Sequence, residues 1–140
     1  GDLGHVIVSP TGPRSTSGAP GCLEAMVCSD AVAERAGGAR VREVVGGARA
    51  GKPGCLDVLT ETGRWLGVGL ASLAPLFAPD RIVVGGGVAS AGELLLEPAR
   101  ASSAAHAPQE FKTTVPIVGT TLEGWEGMIG AGSQYLSPMD

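Results

Sequence analysis

Three polar side chains near the start of the chain have types and spacing that suit a ligand rich in hydroxyls. Asp2, His5 and Glu24 provide two carboxylates and an imidazole, and these groups together can hydrogen-bond several hydroxyls of a sugar. A single histidine is more often an ordinary structural residue, so His5 does not define a site by itself. The sequence predicts a site here only if the chain folds back between His5 and Glu24.

A run of three glycines is the second candidate. Gly85, Gly86 and Gly87 follow the apolar stretch 82–84, and glycine after a buried strand lets the backbone approach a ligand at the carboxyl end of a sheet. The run does not complete the dinucleotide fingerprint G-x-G-x-x-G, because Ser90 stands at its last glycine position. A ligand-binding loop and a plain tight turn between strand and helix remain equally open.

A metal site is the third possibility, in the same segment as the polar side chains. His5 and Cys22 are acceptable zinc ligands, but a zinc site takes four ligands, and the intervening loop offers Ser15 and Ser17 rather than cysteines. Hydroxyls rarely replace thiolates on zinc. We therefore expect no tightly bound metal.

Composition and charge limit the classes of function. The chain has 140 residues, 10 lysines and arginines against 14 aspartates and glutamates, and a net charge of −4, which argues against nucleic-acid binding by this segment. We expect neither a membrane span nor a signal peptide, because no apolar stretch reaches the necessary length and no basic segment followed by an apolar one begins the sequence. The 3 cysteines are an odd number and favour a reducing cytoplasm over a disulfide framework.

The apolar pattern predicts an α/β protein. A stripe from Leu56 to Phe77 recurs at alternating spacings of three and four residues, which is typical of a core helix lying on a sheet, with a coiled-coil seam as the alternative. Pro75 is expected to kink or end that helix. A strand at 81–84, a helix at 91–106 and a strand at 113–118 form a βαβ unit with parallel strands. Other expected elements are a strand at 5–8 and helices at 22–27, 29–36, 41–48 and 125–134.

Two separated motifs resemble the ROK family (repressors, open reading frames and kinases). Residues 1–5 read G-D-L-G-H, where the family has G-E-x-G-H, and residues 15–24 read S-T-S-G-A-P-G-C-L-E, where it has C-x-C-G-x-x-G-C-x-E. Residues 67–73 and 79–87 are similar to the family's long helix, sheet strand and glycine turn. The closing residues 127–131 fit its final helix.

The resemblance implies a fold, a ligand pair and an activity. The fold would be one lobe of an actin-like, ribonuclease H-like ATPase with helices packed on a mixed sheet, and the activity would be phosphoryl transfer from ATP with Mg²⁺ to a hexose or amino sugar. His5 and Glu24 would bind sugar hydroxyls, Asp2 would stand where the family usually has Glu, and Gly85, Gly86 and Gly87 would lie against the nucleotide.

The chain also departs from the family pattern. Ser15 and Ser17 stand where two zinc-binding cysteines are usual, and neither D-x-G-G-T nor G-N-D-A-N, the segment with the catalytic aspartate, occurs in the 140 residues. We expect residues 1–140 to be a single carboxy-terminal lobe, inactive alone, of a sugar kinase. The alternative is the sugar-sensing effector domain of a transcriptional repressor, and a third possibility is a degenerate homologue retained as a structural or pairing module. A homodimer is a further expectation, because family members often pair.

Overall fold

The computed structural model describes residues 2–111, 115–122 and 128–129. Five α-helices and two β-strands lie within these ranges, together with three short 3₁₀ turns at Leu3–His5, Val88–Ala91 and Gln109–Phe111. The helices are α1 (Leu23–Val27), α2 (Ser29–Arg35), α3 (Val41–Arg49), α4 (Pro53–Phe77) and α5 (Glu93–His106), and the strands are β1 (Ile82–Val84) and β2 (Ile117–Gly119). The chain is therefore a mixed α/β protein, as the sequence predicts.

The long helix α4 lies at the centre of the fold. Its apolar stripe faces inward, with Leu59 fully buried and Leu70 and Leu73 less than a tenth exposed, whereas Phe77 at its end is 62% exposed. Because the stripe packs within the chain, it is a core face and not a coiled-coil seam. The helix ends at Phe77, within one turn of Pro75, and the next residue, Ala78, has a left-handed backbone with φ 41°.

Helices α4 and α5 pack directly against each other because glycines replace side chains at their contact. A Cβ on Gly63 would lie 2.5 Å from the Leu95 carbonyl oxygen, and a Cβ on Gly67 would collide with the Ala99 carbonyl oxygen. The hydroxyl of Ser102, on α5, donates to the Arg64 carbonyl of α4 at 2.8 Å. The glycines thus allow the two backbones to approach more closely than larger residues would.

The predicted βαβ unit is confirmed. Strands β1 and β2 are parallel, with Ile82 opposite Ile117, and α5 lies between them in the sequence. Leu70, Leu96 and Ile117 form a cluster that joins α4, α5 and this sheet. A mixed sheet would also contain antiparallel strands. Within the described residues, antiparallel pairing occurs only at two isolated bridges, Ile7–Cys22 and Arg14–Pro20.

The predicted strand at 5–8 is wrong. The Asp2 side chain accepts a hydrogen bond from the Gly4 backbone N–H at 2.9 Å, and this contact caps a 3₁₀ turn that ends at His5. Ile7 then makes a single antiparallel bridge and is 58% exposed. The β-branched run has no buried face to stabilise a strand, so the local turn prevails.

Several other expectations have clear outcomes. The helices at 22–27, 29–36 and 41–48 and the later one at 91–106 are present, although the last begins at Glu93, after a 3₁₀ turn. All three cysteines are free thiols. Residues 113–114 of the second strand and most of the predicted helix at 125–134 lie outside the described residues. In the described ranges, no helix combines the length and the hydropathy that crossing a bilayer requires.

Candidate functional site

A backbone crossing at Gly21 folds the chain back on itself. The Gly21 carbonyl accepts from the Val8 and Ser9 backbone N–H groups at 2.8 and 3.1 Å, and its own N–H donates to the Pro13 carbonyl at 2.7 Å. Gly21 is buried with φ 64°, and a Cβ there would collide with the Ser9 carbonyl, so glycine is required. The Leu23 N–H then donates to the Val6 carbonyl at 2.8 Å. This crossing starts α1 beside the 3₁₀ turn.

The crossing brings together the three polar side chains that the sequence singled out. Glu24, in the first turn of α1, has Oε2 at 3.7 Å from His5 Nδ1, and Asp2 Oδ2 lies 3.5 Å from His5 Nε2. Both distances exceed that of a good hydrogen bond, so the polar atoms retain capacity for a ligand. The side chains are 71%, 41% and 34% exposed for Asp2, His5 and Glu24, which leaves them open to solvent.

One polar contact in this cluster was missed by the sequence reasoning. Thr16 Oγ1 donates to the Glu24 carboxylate, at 3.0 Å from Oε2 and 3.3 Å from Oε1. Thr16 lies in a loop with no apolar periodicity, and nothing in its type or spacing distinguishes it from the neighbouring serines. Only the folded path of the loop places its hydroxyl beside Glu24.

The loop that carries Thr16 is closed by hydrogen bonds. The hydroxyls of Ser15 and Ser17 lie 2.8 Å apart, and the Ser15 N–H donates to the Ala19 carbonyl at 2.9 Å. Arg14 Nη1 also donates to the Gly18 carbonyl at 2.6 Å. These contacts join the two arms of the loop.

The donor set of this loop does not fit zinc. The two serine hydroxyls are paired with each other, and the Cys22 side chain is fully buried with its sulfur 3.8 Å from the Ala19 carbonyl oxygen. Across the described part of the chain, His, Cys, Asp and Glu side chains form no group of three or more that could hold a metal ion. That zinc is not tightly bound remains a prediction with its own test.

The glycine run lies at the carboxyl end of β1, beside a cavity of about 330 Å³. Gly85 and Gly87 line this cavity with Val84, Cys28 and Thr62. Gly86 has φ 93° and open space around its Cβ position. Exposed backbone beside a cavity can contact a ligand closely, so the geometry is compatible with a nucleotide.

Helix α1 connects the two candidate regions. Glu24 is in its first turn, and Val27, its last residue, lines the cavity beside the glycine run. The end of α1 is tied to α4 by Arg35, whose Nη2 donates to the Met26 carbonyl at 2.7 Å and to Thr62 Oγ1 at 2.8 Å. Burial lowers the pKa of the Arg35 guanidinium from its usual value, and Nε has no partner among the described residues. One short helix therefore borders both candidate regions.

The chain as a whole is similar to a protein family and to individual known proteins. The model of the ROK family matches residues 1–136. A glucokinase of Streptomyces coelicolor is 29% identical over 160 residues, which cover 98% of this chain and 50% of the relative. The chain thus spans about half the length of the curated glucokinases it matches.

A solved structure and a regulator are also similar. The crystal structure of a ROK family glucokinase from Streptomyces griseus, in complex with glucose and AMPPNP, superposes with a TM-score of 0.83 at 30% identity, over 94% of this chain and 50% of that one. The DNA-binding transcriptional dual regulator NagC of Escherichia coli K12 is 27% identical, over 88% of this chain and 34% of the regulator. Both a kinase and a DNA-binding regulator are therefore related to the chain.

Proposed function

Because the chain belongs to the ROK family, we propose that it is the carboxy-terminal, sugar-binding lobe of a glucokinase-like kinase that transfers phosphate from ATP to a hexose or amino sugar. The fold is that of the family, an α/β, actin-like ATPase architecture with a small parallel sheet. Glucokinase relatives match nearly the whole chain, and one such structure contains both glucose and an ATP analogue.

The observation that supports the proposal most strongly is the convergence of His5 and Glu24. Their polar atoms lie 3.7 Å apart although the residues are far apart in sequence. The Glu24 carboxylate can accept hydrogen bonds from sugar hydroxyls, and the His5 imidazole can donate or accept one. Asp2, which is more exposed and has Oδ2 at 3.5 Å from His5 Nε2, adds acceptors at the edge of the site. These groups bind and orient the sugar.

The cavity beside Gly85, Gly86 and Gly87 is the proposed place for ATP. Its glycine backbone leaves room for the nucleotide, and Val84 and Thr62 line the neighbouring wall. Mg²⁺, when bound with ATP, neutralises the charge that develops on the phosphates. The phosphate loop and the aspartate that takes the hydroxyl proton are expected from the half of the kinase relatives that this chain does not span.

The location and partners follow from the same proposal. A kinase that uses ATP and a hexose belongs in the cytoplasm, where the three free thiols also fit the reducing conditions. The net charge of −4 does not favour a nucleic-acid partner for this segment. A homodimer is the expected assembly, and sedimentation of the full-length protein tests it.

The second candidate function is a sugar-sensing effector domain of a transcriptional repressor. The similarity to the E. coli regulator covers most of this chain and supports it. In that case the same side chains bind sugar, no phosphoryl transfer follows, and DNA is bound by a separate segment. An ATP-dependent phosphorylation assay with the full-length protein distinguishes the two functions.

Titration calorimetry with the full-length protein tests the sugar site. We expect His5→Ala and Glu24→Ala each to weaken hexose binding by about tenfold or more, because each removes a side chain that hydrogen-bonds a hydroxyl of the bound sugar. Glucose and N-acetylglucosamine are the two probes.

Matched controls are available for both variants. His106→Ala removes the other histidine, which is exposed on α5, and Glu34→Ala removes an exposed acid of α2. Both controls should bind sugar like the wild type. Unchanged affinity in His5→Ala and Glu24→Ala would show that these residues do not bind sugar.

A further inference from the structure

The Thr16 hydroxyl has a specific relation to the proposed sugar site. We propose that Thr16 is a positioning residue, which holds the Glu24 carboxylate in the orientation that accepts sugar hydroxyls. This inference rests on the proposed function, since it assigns a role at that same site. It concerns a residue that donates to Glu24 at 3.0 and 3.3 Å and that stands at a position where the family motif specifies no residue type.

Thr16 is the only described residue that hydrogen-bonds the Glu24 carboxylate. The other close group, His5 Nδ1, is 3.7 Å from Oε2, beyond hydrogen-bond distance. A glutamate side chain has several rotatable bonds and loses considerable conformational entropy when it is fixed. A hydroxyl that already selects one rotamer reduces the ordering that sugar binding must otherwise impose.

The loop gives Thr16 a defined position. The residues on either side, Ser15 and Ser17, are joined through their hydroxyls at 2.8 Å, and Ser15 Oγ also donates to the Ala19 carbonyl at 3.2 Å. Threonine is β-branched and has restricted χ1 rotation. A short, closed loop and a stiff side chain together fix where the donor lies relative to α1.

The contact leaves the carboxylate competent for a ligand. Thr16 lies nearer to Oε2, the same oxygen that faces His5, so Oε1 is less engaged. A carboxylate has about four lone-pair sites, and one hydroxyl hydrogen occupies only part of them. Thr16 therefore orients the Glu24 carboxylate and leaves lone pairs that can accept hydrogen bonds from sugar hydroxyls.

The test compares two substitutions at Thr16 in the full-length protein. Thr16→Val keeps the shape and removes the donor, and it should weaken glucose binding by about tenfold. Thr16→Ser keeps the donor and should bind within about twofold of the wild type. Thr11→Val makes the same chemical change at an exposed position of the same segment, where no side-chain hydrogen bond is described, and should have no effect.

A double-mutant cycle separates positioning from a structural role. If Thr16 acts through Glu24, then Thr16→Val should cost little further affinity in a Glu24→Ala background, which removes every acceptor of that side chain. An equal loss in both backgrounds would overturn the inference, because it would show an effect on the loop as a whole. Urea unfolding of each variant verifies folding, and Thr16→Ala provides a second donor-free variant.

The outcomes distinguish this inference from the proposed function. If Glu24→Ala loses affinity while Thr16→Val binds like the wild type, the positioning role is overturned and the sugar site stands. If Thr16→Ser binds glucose as weakly as Thr16→Val does, the hydroxyl is not the relevant group, and the positioning role is again overturned. If the wild-type protein binds neither glucose nor N-acetylglucosamine, the proposed function and this inference both fail.

Discussion

Among individual residues, the serine pair in the loop is the clearest departure from the family motif. Ser15 and Ser17 stand where the ROK pattern has two cysteines, and their hydroxyls bond to each other at 2.8 Å. Neutral hydroxyls are poor zinc ligands, whereas they satisfy each other without any ion. The loop therefore has a hydrogen bond between the two positions where the motif has metal ligands.

We predict that zinc removal leaves sugar binding unchanged. Full-length protein dialysed against a strong zinc chelator should titrate glucose with the same affinity as untreated protein, because no thiolate set holds the loop. The titration is run without nucleotide, so that loss of Mg²⁺ has no influence. A drop in affinity that added Zn²⁺ restores would contradict this prediction.

The matching variant restores the cysteines. Ser15→Cys with Ser17→Cys recreates the two missing ligand positions beside His5 and Cys22. Only this double variant should retain zinc after gel filtration, as measured by elemental analysis. Stoichiometric zinc in the wild type would be evidence against the serine-based loop.

The candidate sugar-site residues were predictable from sequence only to a limited degree. The motif resemblance brought His5 and Glu24 to one site, and the structure places them 3.7 Å apart. Thr16 could not be predicted, because its role depends on a loop path set by contacts such as that of Gly21 with Ser9 and Pro13. Composition and periodicity contain no signal for such paths.

At the level of elements, the contact between α4 and α5 depends on glycines at particular helical positions. Gly63 and Gly67 lie against α5 backbone atoms, whereas Gly69 faces the Leu23 side chain of α1, 2.7 Å from where a Cβ would lie. Two different faces of α4 therefore set the α5 packing and the position of α1. The position of Glu24, in the first turn of α1, follows from that of the helix.

We predict that Gly67→Ala lowers the free energy of unfolding by about 1–3 kcal/mol, since the new methyl group would force the helices apart. Urea unfolding followed by circular dichroism measures the change. Gly46→Ala is the matched control, because Gly46 is an exposed helical position with nothing within 4 Å of its Cβ site. That control should raise the free energy of unfolding by about 0.5–1 kcal/mol. Equal effects at both positions would mean that the close approach is not tight.

Helices were more predictable than the amino-terminal strand for a physical reason. The α4 stripe repeats along many residues, and burial of Leu59 and Leu70 bears it out. The run at 6–8 is short, and one side-chain contact, Asp2 to the Gly4 N–H, directs the chain into a turn before it. Short apolar runs do not carry enough periodicity to outweigh local capping.

At the level of the whole molecule, the chain contains both candidate ligand regions but spans only part of the kinases to which it is similar. It spans about half of the glucokinases it matches, and its sequence lacks the phosphate loop and catalytic-aspartate motifs of the family. Phosphoryl transfer requires positioned phosphates and a group that orients the nucleophile. Binding and catalysis should therefore be separable in this protein.

We predict that the 140-residue chain alone does not phosphorylate glucose. A coupled assay for ADP formation, with Mg²⁺, ATP and glucose, should give the rate of the protein-free blank. The Streptomyces coelicolor glucokinase serves as the positive control, and a cooperative urea transition verifies that the chain is folded. Turnover above the blank that is lost in Glu24→Ala would contradict the prediction.

The backbone crossing at Gly21 fixes the path of the chain independently of the side chains at the tip of the loop. Its hydrogen bonds with Val8, Ser9 and Pro13 use main-chain atoms only, so they do not involve the side chains at positions 14–20. Either cysteine or serine can therefore stand at positions 15 and 17 while the helix that follows keeps its starting point. Changes at the tip can thus leave the neck of this hairpin in place, whereas the neck itself requires the hydrogen atom of Gly21, since a methyl group there would collide with the Ser9 carbonyl.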